Sequence, residues 1–444
     1  MNTPVFDFVH RYEKNGALRF HMPGHKGIGT LGVEAFDITE INGADSLYEA
    51  SGIIRESEKN ASKLFGSETF YSAEGSSLAI RAMLYLAMLN AKSKGKKLSV
   101  AAGRNAHKTF LSAAALLDFN VEWIYPDENE SYLSCRIDAK KLEKTFCGKE
   151  LPDAVYVTSP DYLGNVSDIK SVSEFCRKND ILLLVDNAHG AYLKFLPDSQ
   201  HPIDLGAHMC CDSAHKTLPV LTGGAYLHIS ENAPGMLLQQ AKNALALFGS
   251  TSPSYIILES LDLANKYISN GYEKRLEEFI KNVQNLKSDL VEQGYTLTGS
   301  EPLKITVDTK KYGYKGYEFE EILLENKIVP EFSDPDYTVF MLTPENGEDG
   351  LLILKKVLLS IPRKTEIAER MPFFSVCEKI ITPREAVFSE SEIIPASQSA
   401  GRVLAAASVG CPPAVPIVVC GEKINEEAVE IFKYYGIDKC SVVK

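Results

Sequence analysis

Short apolar runs of strand length alternate with stretches of helical periodicity through the first two thirds of the chain. That alternation restricts the fold to an α/β class with a mainly parallel sheet, because parallel strands need long crossovers, usually helical. The runs lie at 98–101, 121–125, 154–158, 181–185 and 225–229, and helical patterns fall near 56–65 and 77–92. Polar or Gly-rich residues follow each run, as where functional loops leave the carboxyl ends of parallel strands.

Beyond Tyr255 the pattern changes. A long helical stretch at 254–293, with a break expected near Gly271, leads to strands at 303–307 and 337–342 and a helix at 350–359. Pro-containing residues 361–372 read as a joint, and a closing helix is expected near 425–435. A chain of 444 residues exceeds the usual single-domain size. The expected division is an N-terminal arm at 1–30, a large domain at 31–270 and a smaller α+β C-terminal part at 271–444.

The formal charge of −12 argues against nucleic acid or an anionic membrane as the main partner, since clustered Lys and Arg hold such surfaces. The nine cysteines lack CxxC spacing, and the N-terminal MNTPVFDFVHRYEKNG has no apolar signal core. No uncharged apolar run approaches the roughly 18 residues of a membrane span. The expectation is a reduced, cytoplasmic protein.

Candidate chemistry concentrates in four loops. DSAHKT at 212–217 offers Lys216, whose amine can form an imine if partly desolvated. A lone lysine in a polar loop is ordinarily a solvated surface residue. Asp186 closes the apolar run ILLLV thirty residues earlier, followed by Asn187, Ala188, His189 and Gly190. A carboxylate there can hold a pyridine nitrogen protonated, which is what a pyridoxal-5′-phosphate (PLP) lysine requires; Asp186 and His189 can equally serve as metal ligands or helix caps. Gly75, Ser76 and Ser77 precede an amphipathic helix and suit a phosphate or a simple N-cap. His107, in GRNAHKTF, can stack on a cofactor ring or be a hydrogen-bonded loop histidine, and Lys108 is a rival imine former. His21 and His25 flank a Pro-Gly turn that argues against a helical metal pair, so no metal is expected.

Taken together the segments FHMPGHKG, DITEINGADSLYEASG, GSSLAIRAM, RNAHKT, TSPDYLGNVSDI, VDNAHGA, SAHKTLPVLTGGA, TSPSY and CPPAVPI with its following GE carry a resemblance across nearly the whole chain. The sequence resembles the ornithine/lysine/arginine decarboxylases, fold-type I PLP enzymes, in the short form without an N-terminal regulatory domain. The resemblance implies PLP-dependent decarboxylation of arginine, lysine or ornithine to an amine and CO2. It implies Lys216 as Schiff-base lysine, Asp186 as pyridinium partner, His107 as ring-stacking group and Gly75, Ser76 and Ser77 as the phosphate loop. Ser213 and His215 become phosphate or substrate contacts, and His189 borders the ring. Thr251 and Ser252 match a segment that reaches the phosphate of a neighbouring subunit, which implies a homodimer with shared sites. HMPGHKG is placed at the active-site entrance.

Departures from the family pattern are Glu74 for a usual Asn, Asp161 for Thr, Ala406 for Glu, and CPPAVP at 411–416 for YPPGIP. They bear on substrate recognition. An aminotransferase and a non-catalytic PLP-binding paralogue therefore remain as rivals. A cationic substrate side chain needs an acidic wall, for which Glu422 is the candidate. Glu422 can also cap the helix near Asn425 or face water.

Overall fold

Five of the expected apolar runs form strands, two with the expected bounds and three shifted by a residue or two. In chain order the strands of the α/β core are β1 Glu68–Ser72, β2 Ser99–Gly103, β3 Asn120–Ile124, β4 Ala154–Thr158, β5 Leu182–Asp186, β6 Met209–Asp212 and β7 Ala225–Ile229. The large sheet is mixed and mostly parallel. The computed structural model describes residues 1–127, 130–369, 371–372, 374–406 and 414–444. Two units interleave along the chain. The first holds Met1–Leu98, Asp153–Tyr156 and Ile169–Leu276, and the second holds Ser99–Pro152, Val157–Asp168 and Glu277–Lys444.

In the first unit β5 and β6 are parallel, while β7 pairs antiparallel with both β6 and β1. Every residue of β5, β6 and β7 is buried. Strands covered on both faces read as continuous apolar runs rather than alternating ones, which is why LLLV and AYLHI are legible. Each buried Leu or Val stabilises this layer by roughly 1.5–3 kcal/mol. The edge strand β1, ETFYS, has no such run and was not anticipated. Helices Tyr255–Ser269 and Tyr272–Glu292 are separated at Gly271, whose φ of +73° only glycine adopts without strain.

The second unit contains the parallel pair β2/β3. Further strands follow: β8 Leu297–Thr298, β9 Lys304–Asp308, β10 Phe332–Ser333, β11 Tyr337–Met341, β12 Glu378–Lys379, β13 Ser391–Pro395, β14 Leu404–Ala406, β15 Glu422–Lys423 and β16 Lys439–Val443. They form an antiparallel sheet in the order β10-β11-β9-β8, a three-stranded sheet β13-β16-β14 and the pair β12/β15. The helix expected at 350–359 spans Gly347–Ser360, and the closing helix spans Glu426–Tyr434, with the unanticipated β16 after it.

A buried polar hub joins the strands of the first unit. The carboxylate of Asp212, the last residue of β6, lies 3.1 Å from His201 Nε2 and 3.2 Å from His228 Nε2, and all three side chains are fully buried. Asn187 Nδ2 donates to its other oxygen at 2.7 Å, and the Asn187 amide donates to Cys211 O at 3.0 Å. The turn after β5 is thus tied to the end of β6. Gly190 closes that turn; a Cβ there would sit 2.1 Å from Asn187 Oδ1.

Burial pushes the Asp212 carboxyl up, but the two imidazoles outweigh it and hold the group well below the usual carboxylate range. A depressed folded-state pKa contributes stability above the unfolded value of about 4, lost as pH falls through the folded one. Asp212→Asn removes the charge the two imidazoles face, and should cost about 3–5 kcal/mol. Urea denaturation near neutral pH measures this, and an unchanged midpoint would contradict the hub.

Asp45 organises the entry to helix Ile53–Phe65. Its carboxylate accepts from the amides of Ser51 (3.0 Å), Gly52 (2.8 Å), Ile54 (3.1 Å) and Arg55 (3.3 Å), satisfying donors that no helical carbonyl reaches. Asp45→Ala should therefore destabilise the protein by about 1–2 kcal/mol in thermal or chemical unfolding.

Candidate functional site

Because β5 and β6 run parallel, Asp186 at the end of one and the Ser213 turn after the other leave the first unit's sheet at the same edge. Lys216 lies in the short helix Ala214–Thr217 on that turn, and its Nζ is 2.8 Å from His189 Nε2. Lys108, the rival imine former, is exposed. Two loops remote in sequence therefore meet at a lysine amine.

Asp186 is almost wholly buried. It accepts from Tyr156 Oη at 2.9 Å and the Ala188 amide at 3.3 Å, with Cys211 Sγ at 3.7 Å. Burial pushes its carboxyl above the usual range, and Tyr156 and the positive Lys216 oppose that push. Such a carboxyl gains most when a cation is set against it.

The candidate phosphate loop opens helix Gly75–Ser93. Its N-cap residue Glu74 makes no side-chain cap bond. The Gly75 amide donates to Gly223 O at 2.7 Å, and Ser213 donates its hydroxyl to Ser76 Oγ at 2.8 Å, so Ser76 and Ser213 are brought together. Ser77 is the third residue of that helix. His215 is oriented by Nδ1 donating to Gly224 O at 2.9 Å. Glu74 accepts from the Ser250 amide at 2.6 Å; the departure from the family's Asn thus ties down the loop that carries Thr251 and Ser252, both exposed.

In the second unit His107 is the N-cap of helix Lys108–Leu117, and its Nδ1 accepts from the Thr109 amide at 3.1 Å. Asp161 is buried and accepts from Ser134 Oγ at 2.6 Å and from the amides of Leu163 (2.9 Å) and Asn165 (2.8 Å), shaping its own turn.

Glu422 is buried opposite Arg104. The guanidinium lies 3.3 Å from Glu422 Oε2 and donates to the carbonyls of Pro416 and Ile417 at 2.8 Å each, and the Val419 amide donates to the same carboxylate at 2.9 Å. Glu422 neither faces water nor caps the following helix; Asn425 is that cap, accepting from the Ala428 amide at 2.8 Å. Of CPPAVP, residues 411–413 lie outside the described residues. His21 and His25 are partnered by Tyr12 Oη (2.6 Å) and Asp37 (3.1 Å).

Tyr156, Asp212 and Arg104 escaped the reading of the sequence. Tyr156 stands in the apolar strand AVYVT, where it looks like packing; only its register beside Asp186 marks it. Arg104 follows a strand directly, and the carbonyls and carboxylate its guanidinium binds lie more than three hundred residues away in the sequence.

The family model described as "Orn/Lys/Arg decarboxylase, major domain" matches residues 3–309, and "Orn/Lys/Arg decarboxylase, C-terminal domain" matches residues 368–439. An arginine decarboxylase of Halalkalibacterium halodurans is 30% identical, aligning 96% of this chain with 91% of its own. One of Bacillus subtilis is 29% identical over 97% of this chain and 93% of its own. Among solved structures, the Francisella novicida lysine decarboxylase superposes with a TM-score of 0.81 at 18% identity, covering 100% of this chain and 81% of that one. With both family domains matched in order over a fold of the same architecture, the chain belongs to the Orn/Lys/Arg decarboxylase family.

Proposed function

We propose that the chain catalyses the PLP-dependent decarboxylation of arginine, lysine or ornithine, giving CO2 and an amine that feeds polyamine biosynthesis. The observation that carries this reading is the meeting, in one unit, of the Lys216 amine with His189 Nε2 at 2.8 Å, on loops beside the buried carboxylate Asp186.

The residues present suit the cofactor. Asp186 matches a cationic ring nitrogen, and Ser76, Ser213 and the start of helix Gly75–Ser93 offer donors to a phosphate. Thr217 Oγ1 and Asn187 Oδ1 are buried with no hydrogen-bond partner among the described residues, the mark of a site whose polar groups await a ligand. When bound, the group supplies an electron sink for the charge left at Cα as CO2 departs.

The chain's own residues do the rest. Lys216 would hold the cofactor through its amine, and His189 Nε2 at 2.8 Å is placed to exchange a proton with that amine. Asp186, in its low-dielectric surroundings, holds the ring nitrogen charged. Lys216 and His215 are the groups that return a proton to the substrate Cα. By the family resemblance, His107 would stack on the ring, and Thr251 and Ser252 would reach the phosphate of a neighbouring subunit in a homodimer. Glu422 already faces Arg104, so as an acidic wall for the substrate it shares its charge with that guanidinium.

Borohydride reduction of PLP-loaded protein followed by peptide mapping should find the pyridoxyl group on Lys216. An adduct on Lys108, or on no lysine, overturns the assignment. Asp186→Asn should retain PLP but lose at least about a hundredfold in turnover, the scale of one preorganised electrostatic partner. Mass spectrometry of amines formed from a panel of amino acids tests reaction and substrate together, and turnover confined to acidic or apolar amino acids excludes this reading. Unchanged kinetics in Glu422→Gln for every basic amino acid remove Glu422 from substrate recognition.

A further inference from the structure

The second unit holds a cavity of about 400 Å³ whose walls include Tyr132, Phe332, Asp334, Tyr434 and Tyr435. Asp334 is 7% exposed. Its Oδ1 accepts from the amides of Asp336 and Tyr337, both at 2.7 Å, while its Oδ2 is buried without a hydrogen-bond partner among the described residues. A carboxylate oxygen withdrawn from water and left unpaired is costly, and native structures rarely keep one without use.

The chain's own buried cation, Lys310, lowers the Asp334 carboxyl but forms its ion pairs with Asp336 and Glu369. Lys310 Nζ lies 3.1 Å from Asp336 Oδ1 and is in contact with Tyr434 Oη, and Tyr434 Oη in turn donates to Asp336 at 2.6 Å. Lys310, Asp336 and Tyr434 form a linked group beside the cavity, which Glu369 joins through Lys310 and Tyr435 Oη through Asp336 Oδ2 at 3.4 Å. Lys433 also lines the cavity but is exposed to solvent. The aromatic walls are set edge to face, Tyr132 against Tyr435 with centroids 5.1 Å apart and Tyr434 against Tyr435 at 5.1 Å. The Tyr434 ring already carries Lys310, whose Nζ lies 4.6 Å from its centroid, so Tyr132, Phe332 and Tyr435 are the rings that, with the carboxylate, match a cation with an apolar body, which gains from ring quadrupoles and from the charge together.

We propose that this cavity, built wholly from the second unit, is a binding site for a small organic cation, an alkylguanidinium or alkylammonium, with Asp334 as its counter-ion. The inference stands on the cavity itself and does not depend on the reaction proposed above.

The surroundings of Asp334 add a pH signature. Burial first, and then Asp336, push its carboxyl up to about 7, against the Tyr337 and Asp336 amides and Lys310, which lower it. The hydroxyls of Tyr132, Tyr434 and Tyr435 are all pushed up by burial and stay neutral across this range. Tyr317 and Lys433 complete the titratable lining. A cation binds the ionised carboxylate, so affinity rises as pH increases through 7.

Isothermal titration of the full chain with n-butylguanidinium, which has no primary amine, tests the site against the neutral isostere N-butylurea. The wild-type chain should bind the cation and not the urea, more tightly at pH 8 than at pH 6. Asp334→Asn keeps an oxygen for the Asp336 and Tyr337 amides, and should raise Kd at least about tenfold and abolish the pH dependence. Phe332→Leu, which leaves the carboxylate and thins the aromatic wall, should weaken binding while keeping the pH dependence. No heat from the wild-type chain at millimolar cation, equal Kd in wild type and Asp334→Asn, or equal binding of urea and cation would each overturn the proposal.

Discussion

The first unit depends on a charge that has been removed from water. Asp212 is fully buried, and the cost of that burial is met by two imidazoles and one amide from three other segments, so the carboxylate dictates where those segments lie. His228 arrives from β7, His201 from the loop before β6, and Asn187 from the turn that follows β5. A hydrophobic contact would tolerate a shift of half an ångström here; a buried carboxylate with directional partners does not. The consequence reaches the chemistry. Asn187 and His189 share one turn, Asp212 and Lys216 share another, and the bond between Asn187 and Asp212 holds the two turns in the register that brings His189 Nε2 to Lys216 Nζ.

Two aspartates end neighbouring parallel strands and are driven in opposite directions. Asp186 is met by neutral donors, the Tyr156 hydroxyl and the Ala188 amide, and burial lifts its carboxyl above the usual range. Asp212, equally buried, is met by two imidazoles and is held far below it. The same residue type thus serves as a structural anion in one strand and, in its neighbour, as a carboxyl that burial raises against the opposing pull of Lys216, the separation of roles by environment that active sites use.

The second unit applies the same principle at Arg104, which joins the loop after β2 to the carbonyls of Pro416 and Ile417 and to Glu422. It also lies over the rings of Trp123 and Phe374, with the guanidinium carbon 5.3 and 5.7 Å from their centroids. Buried ion pairs add little net stability, but they penalise every arrangement that separates them. Asp161 does similar work within a turn, and with Glu74 it shows how two unusual acidic residues are spent on backbone amides inside the chain.

The linear sequence by itself determined the α/β class, five of the seven strands of the large sheet, the break at Gly271, the candidate pair Asp186 and Lys216, and the family. These are local properties: apolar runs, glycine punctuation and motif order are written in consecutive residues. The edge strand β1 and the last strand β16 were not legible: β1 is buried but includes the polar Thr69 and Ser72, and β16 alternates buried with partly exposed residues, so neither carries a continuous apolar run. Tertiary structure alone decided that Asp212 is a hub, that Tyr156 supports Asp186, that Glu422 faces Arg104 and that Asp334 is left with an unpaired oxygen. Each of those states is set by which distant donors surround a carboxylate and how much water is excluded from it, and neither quantity exists until the chain has folded.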